Sequence, residues 1–578
     1  MKGSQPCPVI IDILQMKIKA AQIKNTRCFR QVTSPSPDAI IADIRLNVKY
    51  RGTFYVVFCA GIGICLFTSY ITYDIMQLPT NNEERISIMK KSLYLILAAL
   101  LLVSHTACGD STSEQSTTNA DTAPDSVTEA VTEAVVTDGL PEVDMDGFLF
   151  RVYNNSKEKM TWTNTTLDVA EQSGDILEDA IYNRNREVES RFNCKIEVQS
   201  TGDQIGSDEI RKEVMAGDSN FDLWMPRDYN IPNSIPYLRP LDDLPYIHLD
   251  AEWWFPQASE IFKFNGAQYG ATSYFSLSPI SRAAGIVFNE DLYANLGAEM
   301  SPYEYVYQNK WTLATFYELC KLGVADLNGD GKMDDNDRWG FGSSWKEMWA
   351  RFINGSGVNF IEKKGDAYPE FTLPSNAEAI DKLLYIFDTF NDPTIYNNPA
   401  TNMDTEAVAN IWDETALFAL GHPNNMGGKY RNVPMNVGYL PCPKYDEAQE
   451  RYYCTTWASE MMVILKTLPD DRLENVSIIL EALSFDSARE DGVMQIYKEV
   501  MMKGKYATNE NCEKMFDIVL DSLSFDFGII AWEGELINPL IKDIFASRKG
   551  NVMSSLETFA PKVQKQIDKL IENIEGNE

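Results

Sequence analysis

The sequence predicts an α/β protein of two lobes. Three observations carry this: strand-like and helix-like segments alternate from residue 148 onward, the chain is several times the usual single-domain length, and no internal repeat is visible. The run from Phe148 to Tyr153 is continuous and strand-like, and Asn154, Asn155 and Ser156 follow it as a polar loop. Over 176–192, Leu177, Ile181, Val188 and Phe192 fall on one helical face. Residues 194–198 then alternate as a strand should, which completes a βαβ unit. The pattern repeats with a helix over 208–215, Gly217 as its stop, and a strand over 221–225. Such units imply a parallel sheet covered by helices.

Further along, 286–288 is a short apolar strand, and 311–322 reads as a helix with Thr312 near its start. Ser375 and Glu378 form a capping box ahead of Ala379, Ile380, Leu383, Leu384 and Phe387. At the end, Leu556, Phe559, Val563, Ile567, Leu570 and Ile574 recur at three- and four-residue spacing. This is a core-facing stripe in which Pro561 marks a bend.

The N-terminal part reads differently. Lys90 and Lys91, an apolar run over 93–103 and the small-residue junction Ala107-Cys108-Gly109 make a bacterial lipoprotein signal, with Cys108 as the lipidated residue. One position departs from the pattern: His105 stands where the lipobox usually has Leu. The apolar run is far short of the roughly 20 residues that span a bilayer, which argues against an uncleaved anchor. Residues 1–88 precede this signal. They carry Lys17, Lys19, Lys24, Arg27 and Arg30 and an apolar run over 54–67, a composition unlike the rest. The expectation is a start at Met89, with 1–88 an untranslated leader. The alternative is a disordered or membrane segment, with a helix around 53–73 long enough to span. Residues 89–107 are then the signal and 108–145 a flexible tether of Ser, Thr, Ala, Asp and Glu.

Acidic residues outnumber basic ones 84 to 51, for a formal charge of −33, which argues against nucleic acid or anionic lipid as partners and favours a neutral or cationic ligand. Beyond the signal only His248 and His422 remain, so multi-histidine metal sites are excluded. Cys194, Cys320, Cys442, Cys454 and Cys512 show no C-x-x-C spacing. Cys442 and Cys454 flank a polar, hairpin-like connection over 443–450 and could meet on two strands, as a disulfide or as two thiols.

The sharpest local motif runs from Asp326 to Asp337. Asp326, Asn328, Asp330 and Asp334 supply side-chain oxygens at loop positions 1, 3, 5 and 9, the Lys332 carbonyl stands at 7, Gly331 at 6 and Asp337 at 12. This spacing predicts a structural Ca²⁺ site. Asp in place of the usual Glu at position 12 resembles the loops of dockerins and of some bacterial binding proteins.

Three stretches carry a wider resemblance: 179–192 (Asp-Ala-Ile-Tyr-Asn-Arg-Asn-Arg-Glu-Val-Glu-Ser-Arg-Phe), 439–446 (Tyr-Leu-Pro-Cys-Pro-Lys-Tyr-Asp) and 515–519 (Met-Phe-Asp-Ile-Val). In this order they resemble the extracellular solute-binding lipoproteins of bacterial ABC importers, sugar-binding and family 1-like, over nearly all of 146–578. The resemblance implies a type II periplasmic-binding-protein-like fold with a hinge and an interlobe cleft. Lobe 1 would comprise 146–282 and 441–500, lobe 2 with the calcium loop 283–440, and a helical region 501–578. The first crossover would fall near 281–284 and the return near 438–441.

Ligands of open α/β sheets sit beyond the carboxyl ends of the strands. The candidates are therefore Tyr153, Asn154, Arg227, Asp228, Tyr229, Tyr274 and Ser276 from lobe 1, Trp345, Trp349, His422 and Asn424 from lobe 2, and Trp457 after the return. Aromatic platforms with Asp, Asn and Arg suit a sugar's apolar face and its ring of hydroxyls. The implied function is non-enzymatic: a lipid-anchored monomer on the outer face of the cell membrane captures a carbohydrate, an oligosaccharide by preference, for ABC permease subunits. The alternatives are a surface-attached carbohydrate-active hydrolase and a lipoprotein binding peptide or another solute.

Overall fold

The structure is a computed structural model that describes residues 30–33, 39–47, 51–59 and 137–576, apart from 335, 344, 393–394, 398–409, 457–458 and 547–551. The chain divides into two compact units, 1–131 and 132–578. In the first, strands Arg30–Thr33, Ala39–Asn47 and Arg51–Cys59 form an antiparallel meander. The start of the 53–73 run is therefore a strand, where a membrane helix was the alternative. The rest of that run, the signal and Cys108 lie outside the described residues. Among the described residues no helix is long and apolar enough to cross a membrane.

The second unit contains two α/β lobes. In lobe 1, strand Phe148–Asn154 is central and pairs in parallel with Cys194–Ser200 on one side and Leu223–Trp224 on the other. Its inward residues Phe150 and Val152 are fully buried, the strand alternation made physical. Helix Ile176–Phe192 crosses between the first two strands. Asp175 caps it, accepting from the amides of Leu177 and Glu178 at 3.0 and 3.2 Å, and Asn193 closes it in the left-handed conformation (φ 50°). Such a cap contributes about 1 kcal/mol. Helix Ser207–Ala216 ends at Gly217, whose φ of 74° suits a residue without a Cβ.

Beneath this sheet Asp222 is fully buried between two arginines: Arg151 reaches it at 2.8 and 3.1 Å, Arg472 at 2.6 and 2.9 Å. Helix Leu473–Ala488 packs on the same lobe. Its buried Glu481 accepts from the Trp253 and Trp254 indoles at 2.9 and 2.7 Å and meets the His248 ring at 3.0 Å.

Lobe 2 is a mixed five-stranded sheet in the order Tyr396–Asn397, Trp339–Gly342, Ala416–Gly421, Gly285–Asn289, Val437–Pro441. The first three run parallel, and Gly285–Asn289 is antiparallel to both its neighbours. Helix Leu313–Gly323 is capped by Thr312 as expected. Helix Ala377–Phe390 is capped by Asn376 at 3.1 Å to the Ala379 amide, whereas Ser375 bonds back to Thr372, so the capping box predicted on Ser375 is displaced by one residue.

Three predicted boundaries move. Residues 137–145, expected as tether, lie on lobe 1 with Leu140 and Met145 buried and Asp138 paired to Arg191. The chain returns to lobe 1 later than 438–441: Val437–Pro441 still belongs to the lobe 2 sheet, Cys454–Thr455 pairs with Leu523–Ser524, and only at 460–463 does the chain run beside Arg227 and Trp224. The C-terminal residues form no separate region. Helix Glu510–Asp521 covers the Val437–Pro441 strand, and helix Val552–Glu575 touches both lobes. That last helix buries all six residues of its stripe and runs unbroken through Pro561.

Candidate functional site

Sheet topology places the candidate site. In lobe 1 all three strands end at one edge, after Asn154, Ser200 and Trp224. In lobe 2, Gly285 lies opposite Gly421 and Pro441, and Gly342 opposite Ala419, so the segments 281–284, 343–351 and 421–425 share one edge. The crossover at 281–284 and the return that reaches Arg227 at Glu460 join these edges, and a crevice between lobes follows.

On the lobe 1 side Arg227 is the centre. Its guanidinium lies 4.8 Å from the Tyr229 ring and 5.8 Å from the Trp162 ring, while Gln204 accepts from Arg227 at 3.4 Å and from the Tyr229 hydroxyl at 2.8 Å. Tyr229 is 37% exposed, open enough to offer a ring face. On the lobe 2 side Arg282, Arg351 and His422 are buried. Burial lowers the Arg282 guanidinium and pushes Arg351 to about 9, with Glu347 and Glu533 pulling both back up, so both stay charged at neutral pH. Burial and then these two arginines hold the His422 ring well below the usual histidine range, and it is neutral. Trp162, Gln204, Arg282, Glu347, Arg351 and Glu533 were not among the sequence candidates; nothing in their local sequence distinguishes them from other polar or aromatic loop residues.

The remaining candidates scatter. Asn424 donates to the Thr161 carbonyl at 3.2 Å, bridging lobe 2 to the loop that carries Trp162. On the other side of that loop lies a cavity of about 400 Å³, lined by Met160, Thr161, Thr163, Asn164, Asn424 and Tyr506. Trp345 opens helix Trp345–Gly355; its side chain and all of Trp457 lie outside the described residues.

Five candidates are corrected. Tyr153 leans on Phe221 and Trp224 and bonds Glu209 at 2.7 Å, turned to the helix side of its sheet. Asn154 is buried and holds the Thr165 carbonyl at 2.8 Å. Tyr274 packs against Phe255 and under Lys498. Trp349 is fully buried near Tyr396, as core. Ser276 is buried beneath the hinge, donating to Glu460 at 3.3 Å.

Asp228 is also hinge rather than wall. Its backbone amide donates to the Ser459 carbonyl, and its carboxylate accepts from the amides of Ser459 and Tyr229 at 3.0 and 2.9 Å. Burial pushes it up to about 7. Glu460, fully buried beside it, accepts from Asn155 at 3.1 Å and from Ser276, and burial raises it to about 8. Asp526, which caps helix Phe527–Trp532, accepts from the amides of Ile529 and Phe360 at 2.7 and 2.6 Å and rises to about 7 for the same reason.

Cys442 and Cys454 do meet, as buried free thiols; burial, and then Cys442, pushes the Cys454 thiol well up.

The predicted calcium loop is ordered by its own amides. Asp326 accepts from Gly329 and Gly331, Asp330 from Lys332, and buried Asp337 from Leu327 and Asp334 at 2.9 and 2.8 Å. Gly329 and Gly331 take φ of 75° and 78°, and Ala325 pairs with Arg338 at the base. Among the described residues no three His, Cys, Asp or Glu side chains converge as a preformed metal cage.

No protein-family model and no curated protein matches the chain. Solved structures do. It is similar to maltose-bound MalE3 of T. maritima (11% identity, 72% of this chain and 100% of that one, TM-score 0.43). It is also similar to UgpB of Mycobacterium tuberculosis in complex with glycerophosphocholine (13%, 74% and 99%, 0.46). A third is a family 1 extracellular solute-binding protein of Bifidobacterium longum subsp. infantis (10%, 72% and 99%, 0.46).

Proposed function

We propose that this chain is the solute-capturing component of an ABC importer, binding a carbohydrate between its lobes and passing it unchanged to permease subunits. The observation that carries the reading is the Trp162–Arg227–Tyr229 stack at the carboxyl edge of the lobe 1 sheet, across the crevice from the charged edge of lobe 2. A ring face and hydrogen-bonding groups side by side are what a sugar requires. Closure follows if ligand touches both edges, because a ligand shifts a two-state equilibrium only by its differential affinity. Small-angle scattering with mono- and oligosaccharides, peptides and amino acids tests it. The cognate sugar should lower the radius of gyration and raise Tm, and release of product on long incubation would point to a hydrolase instead.

Two further parts belong to the proposal. The protein is tethered by lipid on Cys108, which mass spectrometry of the membrane fraction checks: diacylglyceryl-Cys108 should be the terminus, and peptides from 1–88 would overturn it. The 326–337 loop binds Ca²⁺, a reading supported by its ligand spacing and by the positive φ of Gly329 and Gly331, which permits the sharp turns such a loop needs.

A further inference from the structure

The net charge of −33 describes the surface as a whole, and the crevice differs from it. The Arg227 guanidinium carbon lies over the Tyr229 ring, 4.8 Å from its centroid, and 5.8 Å from that of Trp162. An aromatic neighbour takes no hydrogen bond from the guanidinium edge, so the terminal N–H donors stay available to a ligand. Among the described residues no carboxylate approaches Arg227 within ion-pair distance, its Nε is buried without a hydrogen-bond partner, and its contact to Gln204 is a long 3.4 Å. The neighbouring carboxylate, Asp228, is committed to the amides of Tyr229 and Ser459. Arg282 and Arg351 add charge of the same sign from lobe 2, opposed by Glu347 and Glu533.

From this geometry we infer that the bound sugar carries an acidic group, a carboxylate or a sulfate, and that the edge of Arg227 reads it. The inference rests on the carbohydrate reading above and sharpens it. The two oxygens of a carboxylate, or two of the oxygens of a tetrahedral sulfate, meet such a fork with two parallel N–H···O bonds, which the point charge of a lysine does not reproduce. Trp162 and Tyr229 would hold the guanidinium in place and lend ring surface to the same sugar.

The test is calorimetric titration of the full chain with trigalacturonate, a sulfated disaccharide and maltotriose, at low and high salt. At least one acidic ligand should bind more tightly than maltotriose, by about 10- to 100-fold, the range for a hydrogen bond to a charged group. The advantage should shrink with salt. Whichever acidic ligand binds more tightly names the group. Arg227→Gln should abolish the advantage, lowering affinity for the acidic ligand far more than for maltotriose, and Arg227→Lys, which keeps the charge, should restore only part of it. Maltotriose binding as tightly as the acidic sugars, with no effect of either variant, would remove the acidic group and leave the carbohydrate reading standing. No binding of any of the three by folded wild-type protein would sink both.

Discussion

Asp222 and Glu460 are both fully buried carboxylates in one protein, and they behave in opposite ways. Burial raises Asp222 too, but hydrogen bonds from Arg151 and Arg472 outweigh it and hold the group below the usual range. Glu460 has an amide and a hydroxyl as partners, and burial carries it to about 8; Asp228 and Asp526 follow at about 7. Loss of water penalises both, so the partner decides the charge state. The sheet base of lobe 1 is therefore ionic, and the hinge holds its protons into the neutral range.

The comparison breaks most visibly at its ionic end. Asp222→Asn leaves two guanidiniums facing each other without a counter-ion, and urea denaturation should show a loss of about 3–5 kcal/mol. Below the unfolded pKa near 3.8 the wild type loses the same support, because a depressed native pKa gives stability that disappears as pH falls through it.

At the hinge the sign reverses. The unfolded Glu460 ionises above about 4.5 while the native group keeps its proton to about 8, so stability should fall as pH rises across that window. Glu460→Gln should match the wild type in stability near about pH 5 and exceed it near about pH 8, by about 3–4 kcal/mol. A wild-type Tm that is flat over this range would dissolve the contrast.

A smaller effect is expected at the calcium loop. Ca²⁺ at a hundredfold excess over Kd should add about 2.7 kcal/mol, and Asp330→Ala should erase the shift. Smallest is the thiol pair: Cys442 and Cys454 should resist a thiol reagent in the native protein and react after unfolding, and a disulfide found by mass spectrometry would refute the free pair.

What the sequence made legible was contiguous. Helix Ile176–Phe192, the Gly217 stop and the C-terminal stripe each depend on neighbours within a few residues, and each lies where the local pattern put it. Arg227 and Tyr229 could be named because a rule of topology points to strand ends. The same rule named Tyr153 and Asn154 wrongly, since it gives the edge of a sheet and says nothing of which way a side chain turns. Trp162 reaches Arg227 from a long loop 65 positions away, and no local pattern announces such a meeting.

Helix Val552–Glu575 has a consequence for how the molecule is made. Lys569 bonds Asn233 at 2.8 Å and Asn573 bonds the Pro232 carbonyl at 3.1 Å, contacts that join positions 336 and 341 residues apart. As the chain emerges from the ribosome or a translocon, the apolar ground around Ile231 and Ile235 must wait through all that synthesis for its cover. Lobe 1 is in the same position at Asp222, whose second arginine comes 250 residues later. Neither lobe can finish before the other has been made, so folding is late and non-local.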